Sequence, residues 1–176
     1  VPDPGFSLYP LLLGRVGARM RPVRVGTGFP LEPWREALAE GVRQLWLTLP
    51  NNPTGAWVAP EDLEPLLEEA AARPDPPLVV LDEAYAEFAP RTHRRAVERF
   101  PNVLVLRTFS KALASAGWRL GYLLGDPALV GRLAALQLPY SLSASSLEAL
   151  DVALDFATAF QSEVRAIVER RDRLAR

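Results

Sequence analysis

Residues 102–125, NVLVLRTFSKALASAGWRLGYLLG, contain two apolar runs separated by a polar loop. The runs NVLVLRT (102–108) and RLGYLLG (119–125) are short, rich in valine and leucine, and flanked by asparagine and glycine. This pattern is typical of buried strands. The loop between them holds Lys111, the only lysine among the twenty basic side chains. The stretch therefore predicts two strands and raises the question of what an amine does between them.

Two further runs of the same kind precede this stretch, RQLWLTL (43–49) and PLVVLD (77–82). Helical patterns separate and follow the strands, at 59–73, after 126–127, at 145–160 and at 163–176. The first of these helices has a proline near its start and acids in its first turn. Strands that alternate with helices predict an α/β fold of three layers, α/β/α, around a mostly parallel sheet.

The composition excludes several classes of protein. Charges are nearly balanced, with 20 basic and 21 acidic side chains, so bulk charge gives no reason to expect a nucleic-acid or membrane partner. The chain has no cysteine, which excludes disulfides, thiolate metal sites and thiol catalysis. No run of eighteen or more apolar residues is present, so the sequence encodes no membrane-spanning segment.

Polar, turn-like segments follow three of the predicted strands. PNNPTG follows 43–49, DEAY stands at the end of 77–82, and FSK follows 102–108. In a parallel sheet these ends share one edge, and ligands bind outside the carboxyl ends of the strands. A turn explains NNPTG by itself, but it does not explain a strand aspartate and a solitary lysine at the same edge. The sequence therefore predicts a ligand site there.

Lys111 offers chemistry that arginine does not, because a primary amine condenses with an aldehyde. Thr108 and Ser110 precede it and Arg119 follows it. Two hydroxyls and a guanidinium around a short loop suit a dianionic phosphate. Each of these side chains taken alone also fits an ordinary surface or capping role.

Asp82 ends an apolar strand, where an unpaired carboxylate is costly, so it needs a cation or a hydrogen-bond donor. A protonated pyridine nitrogen is such a partner, and the pairing keeps the ring an electron sink. Tyr85, three residues later, is able to donate to a phenolic oxygen.

The set NNPTG, DEAYAEF and RTFSKALASAGWRLGY resembles the fold-type I pyridoxal-phosphate aminotransferases, and among them most the histidinol-phosphate aminotransferases. The motifs are specific in combination, and the resemblance runs from Phe6 to the end of the chain. It implies the large domain of that fold and pyridoxal 5'-phosphate as the cofactor. It implies that Lys111 forms the Schiff base and later moves the proton, and that Asp82 pairs with the pyridinium nitrogen. By the same resemblance Tyr85 and Asn52 hold the phenolate oxygen.

The resemblance also assigns the remaining cofactor contacts. Thr108, Ser110 and Arg119 match phosphate ligands of the lysine loop, and Phe6 matches an aromatic ring stacked on the cofactor. No metal ligand is implied. His93, the only histidine, stands in the charged stretch PRTHRRAVERF and is interpreted as part of a solvated helix start.

The implied activity is transfer of an amino group from histidinol phosphate to 2-oxoglutarate, in a cytoplasmic homodimer that serves histidine biosynthesis. The expected partners are therefore a small amino donor and a 2-oxo acid. Aromatic aminotransferases and threonine-phosphate decarboxylases share the motifs, because specificity lies in the substrate pocket. A non-catalytic ligand-sensing domain of the same fold stays open as well. A nucleotide hydrolase with a phosphate-binding loop is excluded, since GxxxxGK[ST] is absent.

The domain organisation follows from the same resemblance. Residues 1–160 are predicted to be the cofactor-binding large domain without its N-terminal part, and 161–176 a helix that leads to a small domain. The chain starts without methionine and ends inside a helical pattern. We therefore expect it to be part of a longer protein.

Overall fold

The fold is described by a computed structural model that covers residues 1–174. Its elements in chain order are β1 (Pro2–Asp3), α1 (Leu8–Arg15), β2 (Val23–Arg24), α2 (Glu32–Ala39), β3 (Gln44–Thr48), α3 (Pro60–Ala71), β4 (Leu78–Asp82), α4 (Ala96–Arg99), β5 (Val103–Thr108), β6 (Gly121–Gly125), α5 (Pro127–Ala134), α6 (Ala144–Asp155) and α7 (Ala157–Leu174). Single 3-10 turns lie at Ala86–Phe88 and Ala116–Trp118. All four predicted strands are present, as β3 to β6.

The main sheet has the order β3-β4-β5-β6. The first three strands are parallel, and β6 runs antiparallel to β5. This confirms the mostly parallel sheet. A separate two-stranded parallel sheet, β1 with β2, was not predicted, since strands of two residues carry no readable period.

Helices lie on both faces of the main sheet, as the three-layer prediction requires. On one face α2 and α3 supply buried side chains such as Trp34, Leu63 and Leu66, which pack into one core with Leu47 and Leu81 of the strands. Burying a leucine of this kind stabilises the fold by about 1.5–3 kcal/mol. On the opposite face, the Tyr9 ring of α1 packs against Trp46 of β3, with ring centres 5.4 Å apart. This core therefore fixes the strands, and with them the edge at which they end.

The helices after β6 differ from the prediction at one boundary. The predicted helices 145–160 and 163–176 are α6 and α7, and the break between them lies at Phe156, before the predicted position. The reason is that Phe156 leaves the helical conformation, with φ −98° and ψ 13°, although no glycine or proline marks the place. The predicted domain boundary after residue 160 therefore falls inside α7. Residues 175–176 of the predicted last helix lie outside the described residues.

Within residues 1–174 no helix is both long enough and apolar enough to cross a membrane. The same residues contain no cluster of three or more histidine, aspartate or glutamate side chains suited to hold a metal ion.

Candidate active site

The carboxyl ends of β3, β4 and β5 lie at one edge of the main sheet, as predicted. Thr48 is paired in register with Asp82, and Asp82 with Leu106 two residues before the end of β5. Because β6 is antiparallel, its first residue, Gly121, pairs with Thr108 at this same edge. A Cβ on Gly121 would stand 2.7 Å from the carbonyl oxygen of residue 107, so only glycine allows this close approach.

Asp82 is half-buried, and each of its carboxylate oxygens is bonded. Oδ1 accepts a hydrogen bond from the backbone N–H of Ala84 at 3.0 Å. Oδ2 accepts one from the hydroxyl of Tyr9, on α1. A carboxylate offers about four acceptor positions, so two stay available for a further donor.

Three predicted site residues from three different loops meet beside the end of β4, where Asp82 stands: Asn52, Tyr85 and Lys111. Asn52 Nδ2 donates to the Tyr85 hydroxyl at 3.5 Å. Lys111 Nζ stands 5.2 Å from the centre of the Tyr85 ring, at cation–π distance. The Asn52 loop is held by a turn in which Gly55 has φ +70° and its N–H donates to the carbonyl of Asn51 at 2.7 Å. The structure thus brings three predicted site residues together.

The loop between β5 and β6 carries the predicted phosphate ligands. Thr108 Oγ1 lies 2.9 Å from Ser110 Oγ and accepts the Ser110 N–H at 3.1 Å. Arg119 has a left-handed backbone, φ 57°, and donates from Nη1 to the carbonyl of Ala116 at 2.8 Å. The two hydroxyls are therefore together, and the exposed guanidinium lies at the same edge but bonds to its own loop.

Phe6 is exposed and meets Tyr9 edge-on, with ring centres 5.8 Å apart. Its segment is tied to the edge of the sheet by Asn51, whose buried amide donates to the carbonyl of Pro4 at 3.0 Å. Phe6 therefore lies beside Tyr9, the residue whose hydroxyl bonds Asp82.

These side chains match the functional groups of pyridoxal phosphate one by one. Asp82 has free acceptor capacity for a pyridinium N–H, and Tyr85 with Asn52 offers donors for a phenolic oxygen. Lys111 offers an amine for the aldehyde. Hydroxyls and a guanidinium, suited to the phosphate, lie in the lysine loop. The residue types and their common edge fit the cofactor.

Comparison with known proteins gives the family. The family described as "Aminotransferase class I and II" matches residues 1–176. The chain belongs to this family. It is 38% identical to a histidinol-phosphate aminotransferase of Thermococcus gammatolerans over all of this chain and 50% of that protein. It is 34% identical to an aromatic amino acid aminotransferase of Corynebacterium efficiens, over 97% of this chain and 51% of that protein.

A solved structure gives the same result for the fold. The histidinol-phosphate aminotransferase of Sinorhizobium meliloti, in complex with pyridoxal-5'-phosphate, superposes with a TM-score of 0.85 at 28% identity. The match covers 97% of this chain and 47% of that one. The chain thus spans about half the length of the relatives it matches.

Tyr9, at this aminotransferase edge, was not predicted as a site residue from the sequence. It is 9% exposed and donates to Asp82, which is 73 positions away in the sequence. The available signal was the spacing in PGFSLY, where Phe6 and Tyr9 stand three residues apart, as on one face of a helix.

A buried polar cluster on the other face of the same strand ends was not predicted either. Glu83, 1% exposed, accepts hydrogen bonds from the His93 backbone N–H at 2.6 Å, from Thr92 Oγ1 at 2.8 Å and from Arg107 Nε at 2.9 Å. The His93 ring adds a fourth contact, with Nδ1 3.0 Å from Glu83 and Nε2 2.9 Å from the carbonyl of Val58. Both ring nitrogens therefore lie within hydrogen-bond distance of an oxygen acceptor.

The prediction of a solvated His93 is therefore wrong. The neighbouring arginines at 91, 94 and 95 are exposed, but His93 turns inward because the buried Glu83 carboxylate requires donors. Burial by itself would raise the pKa of Glu83. The hydrogen bonds from His93 and the charge of Arg107 outweigh this effect, and they hold the pKa of Glu83 below its ordinary value.

Proposed function

We propose that this chain is the catalytic core of a pyridoxal-phosphate aminotransferase whose amino donor is histidinol phosphate and whose acceptor is 2-oxoglutarate. One observation carries the proposal. The only lysine, Lys111, lies 5.2 Å from the Tyr85 ring, at the sheet edge where Asp82 ends its strand. An amine, a phenol and a carboxylate at one edge are the groups that this chemistry needs.

Lys111 has two tasks in this proposal. Its amine would hold the cofactor by its aldehyde carbon. Once an amino substrate had replaced it there, the freed amine would take the proton from the substrate's α-carbon and deliver it to that former aldehyde carbon. Bound pyridoxal phosphate supplies an aldehyde for the amino group and a ring that accepts electrons from the α-carbon.

Asp82, Tyr85 and Asn52 set the charge state of the ring. The Asp82 carboxylate keeps a proton on the ring nitrogen, which preserves the ring as an electron sink. Tyr85 and Asn52, already 3.5 Å apart, donate to the phenolic oxygen. Removing either donor leaves that oxygen with one partner fewer.

Thr108, Ser110 and Arg119 bind the phosphate, and Phe6 packs against the ring. The guanidinium of Arg119 is exposed, and among residues 1–174 its one hydrogen-bond acceptor is the carbonyl of Ala116, which a phosphate oxygen is able to replace. A charge-assisted bond of this kind is stronger than the neutral one it replaces.

The amino donor is the finer part of the proposal. Histidinol phosphate is supported by the 38% identity with the Thermococcus gammatolerans protein. An aromatic amino acid is the second candidate, because the chain is also 34% identical to an aromatic amino acid aminotransferase. Glutamate formation from each donor decides between them. Release of carbon dioxide from threonine phosphate, with no glutamate, would contradict both.

The chain spans about half the length of its relatives, so we further propose that it works within a longer protein. In that protein, residues 1–160 form the cofactor-binding domain and 161–176 continue toward a small domain. We also propose a cytoplasmic homodimer.

The cofactor assignment is tested by absorption. The full natural protein is mixed with pyridoxal phosphate, reduced with borohydride and digested. We expect a visible absorption band that reduction removes, and the label on the peptide that contains Lys111. Because no other lysine is present in these residues, a label elsewhere in them, or no band at all, would contradict the proposal.

A further inference from the structure

Tyr9 is a buried polar side chain to which the proposed function gives no task. It lies in the first turn of α1, is 9% exposed, and donates its hydroxyl hydrogen to Asp82 Oδ2. The other carboxylate oxygen is bonded to the backbone N–H of Ala84 at 3.0 Å. The Asp82 carboxylate is therefore hydrogen-bonded on both oxygens, by a side chain of α1 and by the backbone just after its own strand.

The phenol ring of Tyr9 is itself held in place. The Phe6 ring meets it edge-on at 5.8 Å with an interplanar angle of 89°, and the Trp46 ring packs on it at 5.4 Å. Burial, and then the charge of Asp82, raise the pKa of Tyr9 well above its ordinary value. The hydroxyl consequently stays a protonated donor throughout the neutral range.

A carboxylate at a strand end rotates readily about its terminal bond unless hydrogen bonds fix it. A fixed carboxylate keeps acceptor positions pointing in constant directions, and so binds a cation without first losing rotational freedom. Tyr9 supplies the one side-chain hydrogen bond that Asp82 receives within the described residues.

We propose that Tyr9 is a positioning residue which holds the Asp82 carboxylate ready for the ring nitrogen of pyridoxal phosphate. This inference rests on the function proposed above. Phe6, three residues earlier, is the ring assigned to pack on the cofactor. The start of α1 therefore links the stacking side chain to the partner of the ring nitrogen.

The test is the variant Tyr9→Phe in the full natural protein, with two ligands. The first is pyridoxal phosphate, and the second is deazapyridoxal phosphate, in which CH replaces the ring nitrogen. The variant keeps the aromatic ring between Phe6 and Trp46 and loses only the hydroxyl. We expect the dissociation constant of pyridoxal phosphate to rise about tenfold and that of the deaza analogue to change less than about twofold.

The matched control is Tyr122→Phe, at an exposed tyrosine of β6, which should leave both dissociation constants unchanged. Thermal melting of both variants checks that they are folded. An equal loss for the two ligands would make Tyr9 a packing residue and overturn the inference, as would no loss for either. Failure of the wild type to bind pyridoxal phosphate would instead overturn the proposed function, on which the inference rests.

Discussion

Asp82 and Glu83 are neighbours in the chain, yet the two faces of the sheet edge that they occupy are built differently. Consecutive side chains of a strand point to opposite faces. Glu83 is buried and surrounded by four contacts of 2.6–3.0 Å, from Thr92, Arg107 and His93. Asp82 is half-buried, and its carboxylate accepts two hydrogen bonds from side chain and backbone within residues 1–174.

The two carboxylates therefore differ in role: Glu83 stabilises the fold, whereas Asp82 is available to bind a ligand. Four contacts use the full acceptor capacity of the Glu83 carboxylate, so this face is complete without a ligand. Two contacts leave Asp82 with capacity for a further donor. We call the first the clamp face (Glu83, Thr92, His93 and Arg107) and the second the ligand face (Asp82, Tyr85, Lys111 and the lysine loop).

The largest expected effect is on the ligand face, at Lys111. Lys111→Arg keeps the charge and removes the nucleophilic amine, so we expect the rate of glutamate formation to fall by at least about a thousandfold. Lys111 is exposed, so the free energy of unfolding should change by less than about 0.5 kcal/mol. Initial rates measure the loss of glutamate formation, and denaturant unfolding measures the change in the free energy of unfolding. A variant that keeps a tenth of the activity would exclude Lys111 as the amine.

The next effect is on the clamp face, at Glu83. Glu83→Gln leaves the guanidinium of Arg107 without its buried charge partner, and we expect a loss of about 3–5 kcal/mol in the free energy of unfolding. Glu87→Gln is the matched control, because Glu87 bonds the same arginine at 3.0 Å with a side chain 34% exposed. Because solvent reaches the Glu87 carboxylate and screens it, we expect its removal to cost under about 1 kcal/mol. Equal losses in the two variants would refute the distinction by burial.

The stabilisation by Glu83 should also depend on pH. Its folded-state pKa is lowered from 4.5, so in the window just below 4.5 the unfolded chain binds a proton that the folded chain does not. The contribution is then fully present above 4.5 and is lost as pH falls through the lower folded-state pKa. The difference in unfolding free energy between wild type and Glu83→Gln should stay constant from pH 7 to about 5 and shrink below that. A difference that grows on acidification would contradict the assignment.

The ligand face was more predictable from sequence than the clamp face, for a physical reason. Buried parallel strands are continuous apolar runs, so their polar ends stand out in the sequence, and Asp82 and the loop of Lys111 are such ends. Their chemical roles rest on the resemblance and stay predictions.

The clamp face depends on contacts between elements. Glu83 and Arg107 belong to different strand ends, and the contact of His93 with Val58 joins two loops 35 positions apart. No local pattern encodes such pairs. The break at Phe156 was missed for a related reason, since the backbone turns there without glycine or proline.

The smallest expected effects come from removing one threonine hydroxyl on each face. The two variants are a direct test of whether the faces are separate, because each hydroxyl belongs to one face only. Thr92 Oγ1 donates to Glu83 at 2.8 Å, and it accepts from Arg107 Nη2 at 2.6 Å and from the backbone N–H of Arg94 at 3.0 Å. Thr92→Val removes these three bonds at constant shape, and we expect a loss of about 1–3 kcal/mol in unfolding free energy with unchanged cofactor affinity.

Thr108→Val is the counterpart on the ligand face. In the part of the chain that the structure describes, its hydroxyl bonds to Ser110 and to the carbonyl of Leu120, both in the lysine loop, so we expect a stability loss under about 1 kcal/mol. The dissociation constant of pyridoxal phosphate should instead rise about tenfold, since one phosphate donor is gone. Unfolding curves and cofactor titrations give, for each of the two variants, a change in unfolding free energy and a change in the dissociation constant of pyridoxal phosphate. If each variant changed both quantities alike, the two faces would be one network, and the division of roles between Asp82 and Glu83 would be wrong.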